Sequence, residues 1–530
     1  MIAPRPSPAV RAAIVAFTAS FCTLVIELVA GRVLAPYVGV SLYTWTSIIG
    51  VVLAGISVGA WAGGWLADRR PLDSTLGWLL LAAGIASILI APATTLLASD
   101  QGLLTSAGIA TTLLHRVVLL SFVLFFLPAL FLGMISPVAV KLAVRDVETA
   151  GSVVGRIYAV STLGSILGTF VTGFFLVARF GTRATLVGVG VTLIAAALIF
   201  GGLFGRRGRA AAALLLVGGA AYAGLWPGAL PPPHQDPLLQ PTGTGTIHFE
   251  ESQYYTIQVE RTIREDTGAP LHSLHLDHLV HSYADLDDPS YLEYGYLRTF
   301  NDVIAWRAKK SPVFRLLFIG GGGYTLPRLV DALYPDAQVD VVEIDPAVTR
   351  TARRFFGIER DAAIRTVNED ARWFAMRGGE GEPYDLIFID AFNDLSVPYH
   401  LTTREFTAQL ARLLAPGGAV VANAIDDYEG GRFLASYTKT LQSVFGAQHV
   451  GLLMDAAEDM ESTRSTFVVV ASTSLAGITA ETAAHVLPQD DLARYLIRRR
   501  AIVLTDDFAP VDNMLAPLFT ARFVDELQEE

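Results

Sequence analysis

Leu316-Leu317-Phe318-Ile319-Gly320-Gly321-Gly322-Gly323 decides the reading of this chain, together with Val341-Val342-Glu343-Ile344-Asp345 about 20 residues further on. The first apolar run reads as a parallel strand buried on both faces. Its glycines let the backbone turn tightly against a ligand, and the second strand ends in a carboxylate able to take both hydroxyls of a ribose. The stretch therefore predicts a nucleoside site. Two further strand ends extend it: Asn368-Glu369-Asp370-Ala371-Arg372, and Tyr384-Asp385-Leu386-Ile387-Phe388-Ile389-Asp390. Ligands of such open sheets bind at the carboxyl ends of the strands, so Glu343 is placed at the ribose, Asp370 at the exocyclic amine of adenine and Asp390 in the reaction space. Leu413 to Val421, with Pro416-Gly417-Gly418 at its centre, reads as the turn into the next strand.

Outward from this motif the composition divides the chain. It is 530 residues long, 52% hydrophobic and only 17% charged, more apolar than a soluble protein and too long for one domain. The apolarity is concentrated between Ala13 and Trp226, where seven candidate membrane spans appear: about 13–35, 44–66, 76–98, 117–142, 153–178, 182–204 and a weaker Ala/Gly-rich one at 210–226. The expected organisation is a polytopic domain over 1–226, a Pro/Gly linker over 227–245, a small antiparallel β domain over 246–310 and a doubly wound α/β domain over 311–530. In the β domain, Tyr255 to Val259 and Leu271 to Leu279 read as strands.

Basic residues mark sidedness. Arg5 and Arg11 precede the first span, Arg69 and Arg70 follow the second, Lys141 and Arg145 the fourth, and Arg206, Arg207 and Arg209 the sixth, which puts these loops in the cytoplasm. The side taken by the C-terminal half then depends on whether 210–226 crosses or lies in the interface, and both remain open at this point. Glu27 and Arg32, in or near the first span, read as an intramembrane pair or a snorkelling arginine in preference to a transport path.

The net charge of -11 argues against a nucleic-acid partner and fits a cationic substrate. With one cysteine, Cys22, the chain has no intrachain disulfide and no cysteine-based zinc site. His272, His275, His278 and His281 recur every third residue, but on strands they face opposite sides, so no metal site is expected and His281 is read as a pocket wall.

Taken together these residues resemble the spermidine synthase (polyamine aminopropyltransferase) family, in which a methyltransferase-like Rossmann sheet follows a small β domain. The resemblance spans roughly 246–430. It is carried by Glu251-Ser252-Gln253-Tyr254-Tyr255, Leu276-Asp277, Asp287-Asp288-Pro289-Ser290-Tyr291-Leu292-Glu293, the glycine run, Val342-Glu343-Ile344-Asp345, and Asp390 with Pro398 downstream. Phe21 to Arg32 and Gly164 to Gly168 are similar to the membrane-fused branch of that family. Gly63-Gly64-Trp65-Leu66-Ala67-Asp68-Arg69-Arg70 resembles a cytoplasmic loop of major-facilitator transporters, and Asp506-Asp507 also has a counterpart in related chains.

The resemblance implies an aminopropyltransferase in the inner membrane. It would have no tightly bound cofactor, and decarboxylated S-adenosylmethionine, a sulfonium nucleoside, would be cosubstrate with an amine such as putrescine. Gly320, Gly321, Gly322, Glu343, Asp370 and Ala371 would hold the nucleoside, and Asp390 would be the base. Tyr291, Asp394 and Pro398 would line the substrate pocket together with Tyr255, which stands at the family's nucleoside-side glutamine, and a homodimer is open to it. The chain departs from the family pattern at Gly323, where the family carries an aspartate for the donor's ammonium. It departs also at Tyr255 in place of a glutamine, at Leu292, and at Asn393, beside which Asp394 can substitute. Gly323 weakens selection against undecarboxylated S-adenosylmethionine, so a methyltransferase using the same pocket is the second expectation. A transporter or sensor whose soluble half only binds a nucleoside or polyamine is the third.

Overall fold

The glycine run ends a strand at the centre of an eight-stranded sheet. In the computed structural model, which describes residues 7–38, 41–98, 113–201 and 245–518 apart from 265, 278, 359–362, 380, 392–396 and 456–463, the chain divides into two compact units, Met1–Pro241 and Thr242–Glu530. The candidate span at 210–226 and all but the last residue of the linker lie outside the described residues, as do Asn393 and Asp394.

In the first unit six helices among the described residues are long and apolar enough to cross a membrane. They are α1 (Pro8–Val38), α2 (Leu42–Arg69), α3 (Leu72–Ala98), α4 (Leu113–Ala143), α5 (Ala150–Val171) and α6 (Val177–Phe200), the last two joined through a π-turn at Thr172–Leu176. Glycines set their spacing. A methyl group on Gly59 would stand 2.2 Å from the Leu130 carbonyl oxygen, and one on Gly63 would stand 2.5 Å from that of Met134, so α2 and α4 meet backbone to backbone. Gly164 and Gly168 of α5 lie in the same way against Phe17 and Phe21 of α1. Ion pairs Arg11–Asp73 and Lys141–Asp68 join the start of α1 to the start of α3 and the end of α4 to the end of α2.

The second unit opens with an antiparallel sheet of β1 (Thr246–Glu251), β2 (Thr256–Ile263), β3 (Pro270–Leu276) and β4 (Leu279–Asp285) in sequential order. Helix α7 (Gly295–Ala308) then leads into a strand/helix alternation: β5 (Arg315–Ile319), α8 (Thr325–Leu333), β6 (Gln338–Val342), α9 (Pro346–Phe355), β7 (Ile364–Val367), α10 (Ala371–Met376), β8 (Tyr384–Ile389), α11 (Arg404–Leu413) and β9 (Leu414–Asp426). After α12 (Phe433–Phe445), β10 (Val450–Met454), β11 (Ser465–Ser472) and the short β12 (His485–Val486) complete a sheet of order β12-β10-β11-β9-β8-β5-β6-β7.

From β7 to β9 the neighbours are parallel, and beyond β9 they are antiparallel. Leu316 and Leu317 are fully buried, as a central parallel strand covered on both faces requires. The Pro416-Gly417-Gly418 turn forms an irregularity within the β8–β9 pairing, after which Leu386 lies opposite Ala419. Because the order reverses beside β5, the C-terminal ends of β5, β6 and β8 open onto one crevice.

Candidate active site

Three carboxylates stand after β6, β7 and β8, each held differently. Glu343 follows β6 and is 6% exposed; it accepts the Gly321 N–H at 2.8 Å and the Asp345 N–H at 2.9 Å. Burial pushes its acid up in pKa, and the backbone donors act against that. Asp345 caps α9 through the Ala347 N–H, with Pro346 in the first helical turn.

Asp370 caps α10, accepting from the Arg372 and Trp373 N–H groups at 2.8 and 3.3 Å. Its second oxygen meets His400 Nε2 at 3.0 Å, and that contact holds its pKa below the ordinary value. Ala371 is buried behind it. Pro398 opens the short turn Tyr399–Leu401, accepting the Leu401 N–H, and thereby sets His400 against Asp370. Arg372 reaches across to the His400 carbonyl and to Asp506, tying the late Asp506-Asp507 segment to this wall.

The glycine loop packs directly on the third carboxylate. Gly320 has φ +94, and a Cβ there would lie 2.2 Å from the Asp390 carbonyl oxygen, so any side chain would displace Asp390. Gly322 also has positive φ. Asp390 is half-buried. Its Oδ1 accepts from Asn423 Nδ2 at 2.9 Å and its Oδ2 from the Tyr296 hydroxyl at 2.9 Å. Burial raises its pKa, and the two donors act in the opposite sense. The result is a fixed carboxylate that takes a proton more readily than an exposed aspartate.

Tyr296, in the first turn of α7, is the tyrosine that meets Asp390. Tyr291 lies in the extended segment before that helix, where the Arg264 guanidinium covers its ring at 4.0 Å and its hydroxyl donates to Glu293. Tyr291 and Asp390 are therefore not brought together in this structure. Tyr255 packs into the core of the small β sheet with Ile257 and Phe356, and burial raises its phenol. Burial raises the pKa of Tyr254, whose ring is half-exposed, and the charges of Asp345, Asp370 and Glu343 act in the same direction. The sequence assigns no role to Tyr296 or Asn423, and Tyr254, although it lies in the quoted run Glu251 to Tyr255, is given none there.

At Gly323 the space for a side chain is already filled. A Cβ would stand 2.6 Å from Ser282 Cβ and 3.0 Å from a Phe356 ring carbon, and the Gly323 N–H donates to Ser282 Oγ at 2.8 Å. Ser282 on β4 thus closes the position at which the resembled family carries an acid. His272 and His275 are engaged separately, with the Phe355 carbonyl and Ser273. No cluster of metal-ligating side chains occurs among the described residues.

No protein-family model matches the chain. It is 30% identical over 191 residues to the polyamine aminopropyltransferase of Chromobacterium violaceum, an alignment covering 34% of this chain and 67% of that protein. The chain belongs to the polyamine aminopropyltransferase family. It is 39% identical over 133 residues to the polyamine aminopropyltransferase of Vibrio vulnificus, where the match takes in 25% of this chain and only 44% of the relative. Polyamine aminopropyltransferase 1 of Streptomyces coelicolor is 27% identical over 452 residues, 81% of this chain and 78% of that protein. A match of that extent reaches beyond the C-terminal unit into the apolar helices.

Proposed function

We propose that the protein is a membrane-anchored aminopropyltransferase that moves an aminopropyl group from decarboxylated S-adenosylmethionine to an amine such as putrescine. The observation that carries this reading is the Asp390 carboxylate, clasped by Tyr296 and Asn423 beside the glycine loop and one strand from Glu343. Glu343 takes the ribose hydroxyls, Asp370 the adenine amine, and the loop Gly320-Gly321-Gly322 lies along the nucleoside. An ammonium acceptor gives one proton to Asp390. Its nitrogen lone pair then attacks the aminopropyl carbon bonded to sulfur, that C–S bond breaks, and its electron pair leaves a neutral thioether nucleoside.

The six apolar helices would lie in the bilayer, which would cover side chains such as Trp61 and Phe174, 75% and 79% exposed. With 210–226 lying in the interface, six crossings would return the C-terminal unit to the side of the basic loops. Replacing Asp390 by Asn abolishes turnover on this account and leaves nucleoside binding within about twofold; turnover equal to wild type sinks the assignment of the base.

One observation favours a second donor. With Gly323 closed off by Ser282, no acid at this position selects against the carboxylate of S-adenosylmethionine. On this reading the same pocket transfers a methyl group to the amine. Supplying each donor separately with putrescine distinguishes the two by the group found on the product.

A further inference from the structure

Asn423 is 4% exposed, and its Oδ1 is buried without a hydrogen-bond partner among the described residues. Its other amide atom, Nδ2, is committed to Asp390. The carboxylate only accepts, so this contact fixes the amide orientation and makes Oδ1 the remaining acceptor. Buried polar atoms are almost always paired in folded proteins, and an exception of this kind asks for a partner that arrives later.

The sheet explains how the pair is assembled. Ala422 lies opposite Ile389 in the parallel β8–β9 register, which sets Asn423 beside Asp390 at the carboxyl ends of the two strands. Asn423 lies opposite Val468 on its other side, so its neighbour there offers no polar side chain. A primary amine that has given one proton to Asp390 still carries two N–H groups, and its lone pair must point at the donor carbon. One acceptor cannot fix that direction; two acceptors can.

Building on the proposed amine transfer, we infer that Asn423 contacts the acceptor amine directly: Nδ2 holds Asp390 and the Oδ1 carbonyl accepts an N–H of the attacking nitrogen. The carboxylate thus removes the proton while the amide orients what remains. The titratable groups facing Asp390 are Tyr296 of α7 and Tyr294 just before that helix; β9 presents the uncharged Asn423, and the glycine loop presents backbone.

The test uses full-length protein in detergent with putrescine as probe, measuring its binding by calorimetry and its turnover with each sulfonium donor. Asn423→Leu keeps the volume and removes both arms; putrescine affinity falls tenfold or more while donor affinity stays within twofold. Asn423→Asp keeps an acceptor but sets a second carboxylate against Asp390, so the acid limb of kcat/KM moves to higher pH by about one unit. A role confined to holding Asp390 predicts the same displacement, with kcat lowered and putrescine affinity kept within about twofold, so affinity separates the two. If Asn423→Leu does not fold, as judged by its thermal transition, Asn423→Ser, which also lacks the carbonyl, takes its place in the affinity measurement. Wild-type putrescine affinity in the folded variant overturns the inference while the proposed transfer stands. A wild-type protein that neither binds nor alkylates putrescine overturns the proposed transfer and the inference with it.

Discussion

At Asp390 the question is what a carboxylate needs in order to serve as a base at neutral pH. Burial raises its pKa, and the hydroxyl of Tyr296 and the amide of Asn423 favour the anion. The acid limb of kcat/KM should therefore lie above the ordinary aspartate range, activity falling as pH drops and Asp390 takes its proton before substrate arrives. Tyr296→Phe keeps the ring but removes one donor to the anion, so the limb moves further up, by roughly half a unit to one unit for a hydrogen bond worth about 1 kcal/mol. An unmoved limb in a pH–rate series would dissociate Tyr296 from the base. Gly323 offers a second residue-scale outcome. Gly323→Asp alone forces its Cβ onto Ser282, whereas Gly323→Asp with Ser282→Gly removes the nearest obstruction. The paired variant should gain preference for the decarboxylated donor over S-adenosylmethionine in a competition assay, and the single variant should chiefly lose stability.

The positions of Glu343, Asp370 and Asp390 after β6, β7 and β8 were legible because each follows a strand in the alternation of strands and helices, and strand ends are where this class of sheet binds ligands. Their partners were not. Asn423 is 33 residues from Asp390 in the chain and Tyr296 is 94, so nothing local in either segment announces the contact. Tyr291 matched a pattern, yet which side chain of that segment faces the sheet was decided by where α7 begins.

At the scale of elements, the strands and helices between β5 and β9 follow from apolar runs, terminal carboxylates and the Pro-Gly-Gly turn. The antiparallel strands β10, β11 and β12 were not read individually, since short apolar runs do not reveal pairing direction. Two predictions belong here. Gly59→Val drives a side chain into the Leu130 carbonyl across the α2–α4 contact, and overpacking of this kind costs about 1–3 kcal/mol. Its thermal transition in detergent should fall relative to Gly64→Val on the open side of the same helix, where nothing lies within 4 Å of the new Cβ. Equal transitions would contradict the packing.

Asp426, at the end of β9, accepts the Asp427 and Leu434 N–H groups, and burial pushes its pKa up to about 7. Between the unfolded value near 4 and that folded value, the native state keeps a proton that the unfolded chain has lost. Its contribution therefore favours folding at low pH and declines as pH rises through this window. The thermal transition of the C-terminal unit should fall between about pH 4 and 7 and level off above, a slope that Asp426→Asn flattens. An unchanged slope in Asp426→Asn would place the proton elsewhere.

On the scale of the whole chain, composition separated an apolar half from a strand/helix half, and the structure divides the described residues into two units. If the six described apolar helices cross, the basic ends of the first, second and fourth all fall on one side, and whether 210–226 also crosses sets the side of the C-terminal unit. A reporter fused after Glu530 should register the cytoplasm. A reporter active only outside would require 210–226 to cross and would separate the site from a cytosolic donor. The central claim is the transfer itself, and the most direct measurement is mass spectrometry of putrescine after incubation with the purified full-length protein and each sulfonium donor in turn. The account predicts putrescine carrying one aminopropyl group from decarboxylated S-adenosylmethionine, and none with Asp390→Asn. Unmodified putrescine with that donor, or methylation from S-adenosylmethionine alone, would contradict it.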